Sequence, residues 1–284
     1  MKKILVPTDF SPLADTALHI AVEIGRKTGG EIELLHVIEA SYEKEIPAGE
    51  EEITLSGKKG DALIIKSANA ARERLNSIID NAKFAGIRFN PKIKTGNASK
   101  HLSNSITQEK IDLIVMGTEG AKGLFKGILS KTKTEEVVMH AECLVLSVKE
   151  HQKNFKLKNL VFATDFKDIS PKFIEKIKAL QDLFYFKLHI LYVNSKLNHK
   201  KDISEVLNEK EEFVKKYKLS DYEFHAIEDF TEYTGITEYA NKIDADVIAL
   251  TTHQKKGFWH WVGGISEDLV NYAEKPILTY KAEN

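Results

Sequence analysis

The chain alternates short apolar runs with longer stretches in which apolar positions recur every three or four residues. Residues 4–6, 32–37, 111–116 and 144–148 are β-branched-rich runs without strict alternation. Strands buried on both faces of a parallel sheet read this way. Residues 88–94 are more polar and contain Pro91, which predicts an edge strand, because proline cannot donate to a sheet ladder. Between the runs, Ser11-Pro12 opens a helix as N-cap and first-turn proline. Leu13, Ala17, Ile20 and Ile24 share one face of that helix, and Gly25 or Gly29-Gly30 ends it. Residues 61–84 repeat the pattern with Leu63, Ile64, Ala71, Leu75, Ile78 and Ile79, closed by Gly86. Strand–helix alternation of this kind predicts an α/β fold, a parallel sheet with helices on both faces. Such sheets bind ligands outside the carboxyl ends of their strands, at a switch point.

The pattern occurs twice. Lys3-Ile4-Leu5-Val6-Pro7-Thr8-Asp9-Phe10 returns as Asn159-Leu160-Val161-Phe162-Ala163-Thr164-Asp165-Phe166, and Leu34-Leu35-His36-Val37 as Ile190-Leu191-Tyr192-Val193. Ile111-Asp112-Leu113-Ile114-Val115-Met116 matches Ala245-Asp246-Val247-Ile248-Ala249-Leu250, and Leu144-Val145-Leu146-Ser147-Val148-Lys149 matches Pro276-Ile277-Leu278-Thr279-Tyr280-Lys281. The order is kept while the offset shrinks, so the second copy lacks a middle stretch of the first. Glu150-His151-Gln152-Lys153-Asn154 has no apolar periodicity and reads as a linker. The expected domains are 1–149 and 156–284. In the second, Ser170-Pro171 opens a helix with Phe173, Ile174, Ile177 and Leu180 on its face. Residues 203–217 supply another, with Val206, Leu207, Phe213 and Val214, while 222–227 and 247–250 read as strands.

Composition narrows the function classes. With 41 Lys+Arg against 42 Asp+Glu, the chain lacks the basic excess of a nucleic-acid binder. A lone cysteine cannot form an internal disulfide, which points to a reducing compartment. The apolar start stops at Pro7 and Asp9, short of the roughly 7–15-residue core of a secretory signal. No run approaches the ~18 apolar residues of a membrane span. A cytoplasmic protein is expected, with neither nucleic acid nor membrane as partner.

Candidate chemistry concentrates in residues 116–135. Gly117, Gly120, Gly123 and Gly127 allow tight turns and close approach to a ligand. Lys122, Lys126, Lys131 and Lys133 against Glu119 and Glu135 make the segment locally basic. Backbone N–H groups in such a loop and at the following helix start suit an anion such as phosphate. A simpler reading also stands: Thr132 and Glu135 form a capping box that needs no ligand. Asp9 ends the first strand where Ser11 already caps the helix, so its carboxylate is available either to a ligand or to a turn-stabilising contact. His36 and Cys143 read as packed residues. In the second copy, His253 and His260 stand among Lys255, Lys256, Phe258, Trp259 and Trp261 without cysteine or carboxylate partners nearby. The loop reads as packing or a partner surface, and no metal site is expected.

Val6-Pro7-Thr8-Asp9-Phe10-Ser11, Leu34-Leu35-His36-Val37, and Met116-Gly117-Thr118-Glu119-Gly120 followed by Cys143-Leu144-Val145-Leu146 resemble the universal stress protein family, as two tandem copies over nearly the whole chain. The resemblance implies a five-stranded parallel Rossmann-like sheet per copy. In one branch of the family it also implies ATP or another adenine nucleotide in the cleft, with Mg accompanying it. That branch carries a glycine, two residues, a glycine, nine residues, then Gly-Ser or Gly-Thr. Met116, Gly117 and Gly120 match its start. Nine residues on stand Ser130 and Lys131, and one inserted residue makes Thr132 the stand-in for the family's hydroxyl. By the same matching Pro7, Thr8, Asp9 and Val37 line the adenosine side, so the departure falls on the phosphate side. In the second copy Thr251 and Gln254 replace the two glycines, and no nucleotide is expected there.

The resemblance implies a nucleotide-responsive stress protein that acts on a protein partner. Two alternatives remain open at this point: a nucleotide-free interaction module, and a slow ATPase. No nucleophile–base pair or acidic metal pair assigns a catalytic residue. Val145 to Val148 and Ile277 to Tyr280 are apolar edges suited to antiparallel pairing, which would join the two copies as an internal pseudo-dimer. Further homodimerisation is left open.

Overall fold

The computed structural model describes residues 1–41, 43–46, 61–118, 137–138, 141–149, 155–167, 169–197, 201–252 and 265–281. In the first half, β1 (Lys3–Pro7) leads into α1 (Pro12–Thr28), β2 (Glu31–Ile38), β3 (Lys44–Ile46), α2 (Asp61–Ile79), β4 (Arg88–Thr95), α3 (Ala98–Gln108), β5 (Leu113–Gly117) and β6 (Leu144–Val148). The second half runs β7 (Asn159–Ala163), α4 (Pro171–Phe184), β8 (Lys187–Ser195), α5 (Ile203–Tyr217), β9 (Tyr222–Asp229), α6 (Glu232–Lys242), β10 (Val247–Thr252), α7 (Ile265–Tyr272) and β11 (Ile277–Lys281).

All eleven described strands form a single sheet in the order β3-β4-β2-β1-β5-β6-β11-β10-β7-β8-β9. Each half is parallel across its five main strands, and β6 meets β11 antiparallel, with Leu146 opposite Leu278. The two copies therefore share one sheet, as the apolar edges at 145–148 and 277–280 predict.

The central strands β1, β5 and β6 are buried along most or all of their length. One face packs Ile4, Val6, Leu113 and Val115 under α1, α2, α4 and α5, while the other packs Leu5, Ile114, Val145 and Ile248 under α3, α6 and α7. Both layers run across the two halves without a break. Helix α1 starts as its sequence dictates: Ser11 Oγ accepts from Ala14 N at 3.2 Å, and Gly29 closes the helix at φ +65°. Gly25 lies inside the helix instead of ending it.

Three expectations need correction. The helix over 61–84 stops at Ile79, because the Asn81 side chain accepts from Lys83 N and caps a separate 3-10 turn, Ala82–Phe84. Leu63, placed on the buried face, is 68% exposed. The strand at 88–94 is not the sheet edge: β3 pairs antiparallel with Ile93, Lys94 and Thr95 and takes that place. Pro91 lies beyond the reach of β3, so its missing N–H costs no ladder bond on that side. Residues 150–154, read as the linker, lie outside the described residues.

Candidate functional site

Strand order reverses at β1, whose neighbours are β2 on one side and β5 on the other. Carboxyl ends of strands flanking such a reversal form the ligand crevice of open α/β sheets. Pro7 ends β1 and Thr8 and Asp9 follow it, Val37 lies near the end of β2, and Met116 and Gly117 end β5, with Thr118 just beyond. The structure thus brings Pro7, Thr8, Asp9, Val37, Met116 and Gly117 to one edge. Gly120, Ser130, Lys131 and Thr132, with the rest of 119–136, lie outside the described residues.

The turn after β1 is built from its own side chains. Thr8 Oγ1 accepts from Phe10 N at 3.0 Å, Asp9 Oδ1 accepts from Ser11 N at 3.0 Å, and Phe10 adopts φ +63°. A bulky residue at positive φ is strained, and here the two side-chain bonds hold it. Asp9 is therefore not wholly available to a ligand. One oxygen stabilises the turn, and this turn does not use Oδ2. The second half repeats the device: Thr164 accepts from Phe166 N at 2.9 Å, Asp165 from Lys167 N at 3.0 Å, and Phe166 sits at φ +64°. The recurring Thr-Asp-Phe motif is thus explained by backbone geometry in both copies.

Around this turn, the Phe10 ring lies 4.6 Å from that of His36, with the Arg74 guanidinium 5.3 Å from the Phe10 centroid. His36 Nδ1 lies 2.8 Å from the Thr8 carbonyl oxygen, to which it can only donate. Burial pulls the His36 pKa below its usual value, so the ring is neutral at pH 7 and its Nε2 offers a lone pair. On the other face, Val37 and Met116 are buried in the layer beneath α3.

Gly117 has a structural task that the sequence did not disclose. A Cβ there would overlap Leu13 Cγ of α1 and stand 3.0 Å from the Leu13 carbonyl oxygen. Close helix–strand packing, independently of any ligand, requires a residue without a side chain. The motif aspartates at the amino ends of β5 and β10 are equally structural. Asp112 Oδ2 accepts from Lys2 N at 2.6 Å and Lys3 N at 3.3 Å, and Asp246 Oδ2 from Lys158 N at 2.6 Å and Asn159 N at 2.8 Å. Cys143 is buried, and burial raises its thiol to about 12, leaving it protonated and unreactive.

Two polar clusters were invisible in the linear sequence. In the first half, Glu33 of β2 lies 3.1 Å from Lys92 of β4, Lys92 also pairs with Glu109, and Lys94 Nζ lies 3.6 Å from Glu109 Oε1. Burial is the main cause that raises Glu33 to about 7, whereas bonds to Glu33 and Lys92 hold Glu109 down to about 2 against its own desolvation. In the second half His189 and His225 stand at the sheet positions of Glu33 and Lys92, and Glu223, opposite His189, stands at that of Asn90. Both clusters come together only through pairing of strands far apart in sequence, so no local spacing could have shown them.

The fold defines an α/β protein with a mostly parallel, Rossmann-like sheet, built as a tandem repeat. The sequence model of the universal stress protein family matches residues 1–149, just over half of the chain, and the chain belongs to that family. Two universal stress proteins of Methanocaldococcus jannaschii are similar to it. One is 29% identical over 153 residues, covering 54% of this chain and 84% of the relative, and the other 31% over 157 residues, covering 52% and 94%. Among solved structures, a universal stress protein from Archaeoglobus fulgidus is 21% identical over 98% of both chains, with a TM-score of 0.74. One from Pseudomonas aeruginosa is 18% identical over 99% of this chain and 94% of its own, with a TM-score of 0.63. At these identities the likeness concerns the fold, and it extends over both halves. Among the described residues no helix is long and apolar enough to cross a membrane.

Proposed function

We propose that the first half binds an adenine nucleotide (ATP, ADP or AMP) between the carboxyl ends of β1 and β5, and that occupancy tunes a stress response through a protein partner. The carrying observation is an asymmetry between the copies. The Thr-Asp-Phe turn is the same in both, yet only the first strand end leads into Gly117 and Gly120, where the second carries Thr251 and Gln254. Pro7, Thr8, Asp9 and Val37 take the adenosine side. Met116, Gly117 and Gly120 take the phosphates, with Ser130, Lys131 and Thr132 supplying the terminal hydroxyl and charge, and Mg accompanying a polyphosphate. The donor set fits adenosine: Asp9 Oδ2 accepts from ribose hydroxyls or the base amine, and neutral His36 Nε2 accepts beside it. On this reading the domains are 1–149, the sensor, and 156–284, the structural partner. The ligand shifts conformation only by its differential affinity for two states.

Denaturing the purified protein and assaying released adenine nucleotide, then titrating the emptied chain with ATP, ADP and AMP, tests this. Neither released nucleotide nor binding at about millimolar concentration, weaker than ~4 kcal/mol, defeats it. One observation favours the second reading, a nucleotide-free interaction module. The missing Cβ of Gly117 is accounted for by Leu13, and Val37 and Met116 are core residues. Replacing Gly120 with Val separates the two: the sensor loses binding with its fold intact, and the module is unaffected.

A further inference from the structure

We infer that His189, Glu223 and His225 form a binding site for a divalent transition-metal ion, Zn2+ in the first instance, on the second half of the sheet. The site is independent of the nucleotide crevice. Glu223 lies opposite His189 in the β8–β9 register, and His225 follows two residues later on the same face. His189 Nδ1 is 3.4 Å from Glu223 Oε2, and His225 Nε2 is 3.5 Å from the same oxygen. All three ligand atoms lie within 4.8 Å of one another. A tetrahedral ion held at roughly 2.0–2.2 Å spaces its ligand atoms roughly 3.3–3.6 Å apart. The two separations to Glu223 match that spacing, and they exceed the roughly 2.7–2.9 Å of a charge-assisted hydrogen bond.

The surroundings orient the donors. His189 Nε2 lies 3.4 Å from Asn159 Oδ1, an acceptor, which fixes its proton there and leaves the Nδ1 lone pair facing the cluster. Tyr239 is buried, and its hydroxyl donates to His189 Nδ1 at 3.3 Å, a contact that confirms Nδ1 as the acceptor and that a bound ion would displace. His225 Nε2 is buried as an atom and has no hydrogen-bond partner, an exceptional state for an imidazole nitrogen. Lys187 pairs with Glu223 through Oε1, so the carboxylate keeps Oε2 for the ion, and the half-exposed ammonium is screened by solvent. The first half shows the contrast. At the position of His225 it carries Lys92, whose ammonium sits against Glu33 and Glu109. There the chain fills the cluster with its own cation, whereas the second half presents two neutral-capable imidazoles and a carboxylate, the donors that suit zinc. His225 is 35% exposed and provides the way in.

The test uses the full chain, stripped with chelator and titrated with Zn2+ by calorimetry, with Tm read in parallel. One equivalent should bind at this site and raise Tm. His225→Ala and Glu223→Gln should each weaken it by at least about tenfold and reduce the Tm rise at about 100 µM Zn2+. His225 is partly exposed and Glu223→Gln keeps the side-chain shape, so metal-free circular dichroism and Tm of the two variants identify any that misfolds. Wild-type protein without stoichiometric binding, or both variants binding as wild type does, would overturn the site.

Discussion

Gly117 and Leu13 meet with no space for a methyl group between them, the strand end pressing against the first turn of α1. Gly117→Ala should therefore destabilise the fold by about 1–3 kcal/mol, the usual cost of overpacking, as read by urea melts. Leu13→Ala should recover part of that loss in the double variant, because it removes Cγ but not the carbonyl. A Gly117→Ala protein as stable as wild type would contradict this. At the matching helix position the second half carries Lys172, and its strand end carries Thr251.

Lys149, just beyond β6, donates from Nζ to the carbonyls of Val270 and Asn271 at the end of α7, 3.0 Å from each. Lys149→Met leaves two helix-terminal carbonyls without this donor and should cost about 1 kcal/mol, since part of the ammonium's desolvation is relieved. Burial lowers the Lys149 pKa from 10.5 to about 8. Between those values the unfolded chain keeps a proton that the folded chain has released. Wild-type stability relative to Lys149→Met should thus rise as pH climbs from about 8 towards 10.5. A flat difference across that range would argue against the buried ammonium.

Glu33 and Glu109 titrate as a pair around Lys92. Glu33 holds its proton to about 7 when folded against 4.5 when unfolded, so its contribution is complete below 4.5 and lost as pH rises through 7. Glu109 behaves oppositely: its contribution is present above 4.5 and lost as pH falls towards about 2. Thermal melts between pH 5 and 7.5 should show wild type losing stability relative to Glu33→Gln, which cannot ionise. Parallel curves would show that burial of Glu33 carries no proton.

Asp9 and Asp165 make the same turn bond, which turns the second copy into an internal control. Asp9→Ala and Asp165→Ala should each cost about 1 kcal/mol of stability. Adenine nucleotide affinity should fall in Asp9→Ala alone. Equal loss in both variants, or in neither, would remove Asp9 from the adenosine side.

Much of the architecture was legible because its cause is local. Runs such as Ile4-Leu5-Val6 are buried on both faces wherever they occur, and Ser11-Pro12 starts a helix by its own chemistry. The register of the repeats also carried the β6–β11 junction. What escaped depends on distant neighbours. Nothing beside Arg88 announces that Lys44–Ile46 will cover its strand, and nothing beside Gly117 names Leu13 as its neighbour. The Asn81 cap was local, but it was masked by the apolar run ending at Ile79. At the candidate site, position was readable and purpose was not: Asp9 stands where the motif puts it, with one oxygen committed to Ser11. The His189, Glu223 and His225 group needed the β8–β9 register before any donor count made sense.

The antiparallel seam between β6 and β11 has a directional consequence. Because all main strands reverse sense across it, the crevice end of one copy and that of the other open towards opposite rims of the slab. A molecule seated in the first mouth cannot reach across to the second, and a protein gripping one rim leaves the other exposed. The lobes are joined sideways through the seam, where Leu146 faces Leu278 and the Lys149 ammonium reaches the neighbouring helix, and through the two core layers that cross it.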